Sequence, residues 1–205
     1  YIGMVHPASQ RMSAKKAQEW ALYGQYELAR RRLEGFESFG ADVQRAYIDC
    51  LEFNKLRDDH FIMDFQRYRV VDNYVVIGLK DIANAGLDGV CSFSAEKFVV
   101  FLDNILSTPT IQKGNRQIIM MYKAHFLWES DRVSEAWSLL IKTFEYDTRN
   151  PVPVFLACEW AIDLEDKKQG MPICNRALES ASKNIVKYRE LDTKVRKRLE
   201  KHGWL

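Results

Sequence analysis

The stretch YGQYELARRRLEGF, residues 23–36, decides how the chain is read. Gly24 stands five residues before Ala29, and Ala29 is followed by Leu33 at four and Phe36 at seven. A glycine that ends one helix and an alanine on the apolar face of the next is the spacing of two antiparallel helices meeting at a small residue. The pattern recurs. Ala136, inside DRVSEAWSLLIKTF, is followed by Leu140 and Thr143, and Gly170, inside KKQGMPICNRAL, by Cys174 and Ala177. Twelve residues before each small residue stands another, at Ala17, Ala124 and Cys158. Small residues at both points let paired helices approach closely, while Trp20, Leu33, Leu127 and Leu140 fill the adjacent groove.

Outward from these pairs the chain reads as helical throughout. Its 205 residues are 47% apolar and 28% charged, an ordinary globular mixture that suits one domain or two small ones. Only ten glycines and five prolines occur, and the stretches between them favour helix. Apolar periodicity predicts helices near 10–23, 26–38, 42–55, 58–68, 72–85, 94–107, 112–129, 133–146, 152–164, 168–182 and 184–201. Turn signals separate them, among them YGQ at 23–25, SFGAD at 38–42, NAGLDG at 84–89 and LEDKKQG at 164–170. Ser94 is a predicted N-cap and Pro109 a stop. The fold expected is all-α, built from antiparallel helical hairpins.

The separation of Ala136 from Gly170 is 34 residues, the period of the tetratricopeptide repeat. The chain resembles a degenerate member of that family, with one unit near 10–43 and two near 117–184. The resemblance implies hairpins stacked as a right-handed solenoid. It also implies an N-terminal extension over 1–9, irregular hairpins with one repeat-like unit over 10–110, two units over 111–183, and a basic capping helix over 184–205. There are departures: Lys16 and Lys123 stand where an apolar residue is usual, and Pro172 falls where the second helix of the last unit should be running. Either that helix begins late, near Gly170, or the register slips there. The middle, 44–115, fits the repeat poorly. Its order of a Gly- and Cys-bearing loop, the capped segment FSAEKFVVFLDNIL, then STP and a repeat pair is similar to the soluble C-terminal regions of bacterial glycosyltransferase-like or O-antigen polymerase and ligase-like membrane proteins. That likeness implies a region attached to a membrane through a missing N-terminal part, and a chain opening on Tyr1 fits a piece of a longer protein.

Chemistry is sparse. No phosphate loop, HExxH or GxSxG occurs, and the histidines are scattered at 6, 60, 125 and 202, so no cofactor or metal is expected. RDDH at 57–60 bunches two carboxylates with an imidazole, but neighbours on a helix point to different faces. Cys50, Cys91, Cys158 and Cys174 have no CxxC pair. They read as buried thiols, with Cys91 packing beside Phe93 rather than acting as a nucleophile. A Cys158–Cys174 disulfide is open, since both would face the interior of one hairpin. No apolar run reaches the ~18 to 20 residues of a membrane helix.

Binding surfaces are more informative. In the repeat register the first helices of the last two units would turn Met121, His125, Trp128 and Glu129, and Phe155, Glu159 and Asp163, towards one concave face. Large aromatics and Met beside carboxylates suit a protein or peptide segment carrying Lys or Arg. The competing reading buries Trp128 and Phe155 against the next helical layer. From Lys183 to Lys201 eight basic residues face three acidic ones, which leaves about −3 for the rest of a chain whose total is +2. That last helix can cap the array through Tyr188, Leu191, Val195 and Leu199, or meet an anionic membrane surface or a polyanionic glycan. Nucleic acid is not expected, because aromatic residues do not interleave the basic stripe. The function expected is a non-catalytic scaffold binding a protein or peptide. The alternatives are a ligand-sensing helical domain of a transcription factor, and an enzyme with a site in the irregular middle.

Overall fold

A computed structural model describes residues 7–57 and 75–205 of the chain. They form ten helices: α1 (Pro7–Leu22), α2 (Tyr26–Arg32), α3 (Phe39–Phe53), α4 (Val75–Leu87), α5 (Ala95–Leu106), α6 (Lys113–Glu129), α7 (Val133–Tyr146), α8 (Val152–Asp163), α9 (Lys167–Ser182) and α10 (Ile185–Lys201). Among the described residues the only extended pairing is an isolated bridge between Lys55 and Ser92. The all-α expectation therefore holds. The helix expected at 58–68 lies outside the described residues, as do residues 58–60 of RDDH.

The chain divides into two compact units, Tyr1–Asn115 and Arg116–Leu205. In the first, α1 packs on α2 and α3, and α3 packs on α4. Gly24 takes the left-handed conformation (φ +76) that turns α1 into α2, and Ala17, Ala21 and Ala29 are buried with Leu33 and Ile48 where the helices meet. The helix α2 is shorter than its periodicity predicts. It stops at Arg32 because Gly35 turns the chain (φ +80), and the Arg45 guanidinium on α3 takes over its end, donating at 2.7 Å to the carbonyls of both Leu33 and Phe36. The SFGAD segment is a helix start rather than a turn. Ser38 caps α3 by accepting from the Ala41 amide, just as Ser94 caps α5 by accepting from Lys97. Phe101 of α5 bridges Phe39 and Phe98 with ring centroids at 5.8 and 5.5 Å.

In the second unit α8 packs on α7, α9 and α10, and α10 packs also on α9. Phe144, Phe155, Ile162, Leu178 and Leu199 lie in one core with Tyr188, Val195 and Trp204. The buried Gln117 side chain of α6 serves the end of α7: its Nε2 donates to the carbonyls of Thr143 (3.0 Å) and Asp147 (2.8 Å), and its Oε1 accepts from Asn150 (3.2 Å). The helix α9 begins at Lys167, capped by Asp166, and not late near Gly170, so Pro172 lies inside it. Pro172 is exposed, as is Lys168, the residue whose carbonyl loses its amide donor, and an exposed position lowers the cost of an interior proline.

All four cysteines are cross-linked. Cys158 bonds to Cys174 as the hairpin geometry allows, and Cys50 bonds to Cys91, a pairing the sequence reading does not contain. The buried-thiol reading is corrected on both counts, and Cys91 has no thiolate to act as a nucleophile.

At Gly170 the helix α9 comes close to its neighbours. A Cβ there would sit 2.5 Å from Cζ3 of Trp204 and 2.7 Å from Cβ of Ala161. Gly170→Ala gains the helix preference of alanine, worth about 0.5–1 kcal/mol, but must displace the Trp204 indole and the Ala161 methyl of α8. The clash should win, with a net loss of ~1 to 2 kcal/mol in urea unfolding; a variant at least as stable as the parent would contradict this packing.

Candidate functional site

The seven residues expected on one concave face separate into three groups. Phe155 is 2% exposed and belongs to the core with Cys158 and Ile162, so its assignment to a binding face is corrected. Met121, His125 and Trp128 are half-buried on α6, with Glu129 exposed at its end. Glu159 and Asp163 lie on α8, but each holds a cation of α10: Lys194 Nζ is 2.7 Å from Glu159 and Arg198 Nη2 is 2.5 Å from Asp163. An acidic edge open to a basic ligand is thus partly neutralised within the chain.

The residue that completes the aromatic group is Trp160. Its ring lies 4.2 Å from that of Trp128 at 30°, and the His125 ring meets it edge-on at 5.4 Å and 90°. Tyr122 adds a looser ring contact to His125 at 6.5 Å. Trp160 is itself almost closed off, and Trp128 covers it while keeping part of its own surface open. Burial lowers the His125 pKa, so its imidazole is neutral at pH 7 and behaves as an aromatic wall with a hydrogen-bonding edge. On α8 the residues Leu156, Glu159, Trp160 and Asp163 follow one another at helical spacing, with Trp160 turned to Trp128 and the two carboxylates to α10.

In the first unit a cavity of about 460 Å³ opens between α2 and α3, lined by Arg30, Glu34, Gly35, Asp42, Arg45 and Asp49. Its cations are engaged: Arg30 pairs with Asp49 at 2.8 Å and with Glu52, and Arg45 with Asp42 at 2.8 Å. Ion pairing of this kind fixes the corner of the fold and offers a ligand little uncompensated charge. At Phe53 the Arg57 guanidinium stacks 4.3 Å from the ring centroid.

The strongest titration signal also lies in this unit. Burial raises the Asp81 carboxyl from 3.8 to about 6, against the opposing pull of Lys80, while Gln18 Nε2 donates to it at 2.7 Å. Burial, with the charge of Asp81, also pushes the Tyr47 phenol up. The folded chain holds the Asp81 proton over a range in which the unfolded chain has released it. Stability from this group is present below pH 4 and is lost as pH rises to about 6. Asp81→Asn keeps an acceptor for Gln18 and removes the charge, so it should stabilise the chain at pH 7 by ~1 to 2 kcal/mol and at pH 4 hardly at all. The check is the difference between variant and parent urea midpoints at the two pH values. His125 acts in the opposite direction, since its stability contribution falls as acid protonates the imidazole.

No helix among the described residues is long and apolar enough to cross a membrane. No protein-family model, curated protein or solved structure matches the chain.

Proposed function

We propose that this chain is a non-catalytic helical-repeat scaffold whose second unit binds a protein or peptide segment on the side of α6 and α8 that carries Trp128. One observation carries this reading: Trp128, stacked on Trp160 and flanked by the neutral ring of His125, is rigidly held yet partly exposed. A pre-positioned indole is the kind of anchor that dominates interface energetics, because little side-chain freedom remains to be lost on binding. Exposed Glu129 and the solvent-facing pair of Asp163 with Arg198 supply a charged rim. A Lys or Arg of the partner can exchange with Arg198 at small cost, since surface ion pairs contribute little.

Stacking as a right-handed tetratricopeptide-like solenoid is part of the proposal. It is supported by the burial of Ala124, Ala136, Cys158 and Gly170 at their repeat positions. So is the placement of this region in a bacterial membrane protein of cell-surface glycan assembly, supported by the segment order through FSAEKFVVFLDNIL. The two disulfides support exposure to a compartment that keeps thiols oxidised.

The test is selection of random linear peptides on the immobilised oxidised chain, with Trp128→Ala as the counter-target. Enriched peptides should carry a large apolar residue near Lys or Arg, and Trp128→Ala should weaken them by ~2 kcal/mol or more while remaining folded under the conditions of the selection. Peptides that bind the variant equally well would remove Trp128 from the site.

A further inference from the structure

We infer that the corner between α9 and α10, with the outer face of α10, is a docking surface for an anionic phospholipid membrane. This goes beyond the peptide-binding reading and concerns a different surface of the second unit. Lys183 ends α9, and Asn184 caps α10 by accepting from the Lys187 amide at 3.4 Å. Between these caps and the buried Tyr188, whose non-helical backbone kinks α10, the chain leaves Ile185 42% and Val186 80% exposed. Single exposed aliphatics are ordinary. Here two are adjacent at the apex of a helix–helix corner, between Lys183 and Lys187, with Arg189 close behind.

The charge of α10 is divided. Lys194, Arg196 and Arg198 are paired with Glu159, Asp192 and Asp163. Lys183, Lys187, Arg189, Lys197 and Lys201 are exposed, as are the acids Glu190 and Glu200. The outer face therefore carries an excess of cations, whereas Tyr188, Val195 and Leu199 anchor the inner face in the core. A protein partner would need on the order of 1,000 Å² with an apolar centre, which two aliphatic side chains do not supply. A lipid surface needs diffuse cationic charge within a Debye length and a shallow apolar insertion, and this corner has both.

The experiment is co-sedimentation of the full oxidised chain with vesicles of phosphatidylcholine alone, or of phosphatidylcholine with phosphatidylglycerol. The parent should sediment only with the anionic vesicles and should be released as salt rises from ~0.05 M to ~0.5 M. Ile185→Ser with Val186→Ser should weaken binding about ten-fold, as should Lys187→Gln with Arg189→Gln and Lys197→Gln. The same three positions changed to Lys or Arg, with charge retained, should restore it, because a diffuse field does not distinguish the two cations. All of these sites are exposed, so circular dichroism and melting should match the parent. Absence of anionic-vesicle binding, equal binding to neutral vesicles, or wild-type binding by either set of variants would overturn the assignment. The first of these outcomes would return the corner to the surfaces available to proteins.

Discussion

Phe155→Ala should cost ~3 to 5 kcal/mol of folding stability, the loss typical of truncating a fully buried aromatic ring. Phe155 is 2% exposed and packed in the same core as Cys158, Ile162 and Leu178. Trp128→Ala, at a half-buried residue of the same expected patch, should by contrast lower the urea midpoint much less than Phe155→Ala does. The two truncations together separate core from surface. If Phe155→Ala unfolds at the parental midpoint, α8 is rotated differently, and Phe155 returns to the exposed face.

Removing the Cys50–Cys91 cross-link should be nearly as damaging. The bridged residues are 41 apart, and those of Cys158–Cys174 are 16 apart. Loop-closure entropy grows with the logarithm of loop length, which gives ~4 kcal/mol for the longer loop and ~3 kcal/mol for the shorter. Cys50→Ala with Cys91→Ala should therefore lower the urea midpoint more than Cys158→Ala with Cys174→Ala, and reduction of the parent should lower it in the same direction. Midpoints that do not move on reduction would contradict the cross-links.

The helices were legible because their signals are local. Ser94 announces α5, Gly24 divides α1 from α2, and the bounds of α7 coincide with the expected 133–146. Where α2 ends was not legible, because Gly35 and the reach of Arg45 from the next helix decide it together. The face of α8 was missed for a different reason. VPVFLACEWAID is apolar on nearly every side, so periodicity does not fix its rotation, and the repeat register chose Phe155 over Trp160. The Cys158–Cys174 bond held the missing signal: turning Cys158 towards α9 puts Phe155 and Ile162 with it in the core and leaves Glu159 and Asp163 towards α10. The Cys50–Cys91 pairing depends on how α3 meets the loop after α4, a contact distant in sequence that no spacing rule reports. The partners Lys194 and Arg198 are likewise not legible in the sequence, because only the folded chain brings them to Glu159 and Asp163.

The most direct test of the central claim is a calorimetric titration of one selected peptide into the oxidised parent and into Trp128→Ala. The parent should bind, and the variant, folded to the same extent, should bind roughly thirty-fold or more weaker, the equivalent of ~2 kcal/mol. Equal dissociation constants for the two proteins would contradict the claim that the exposed indole on α6 is the anchor of a binding face.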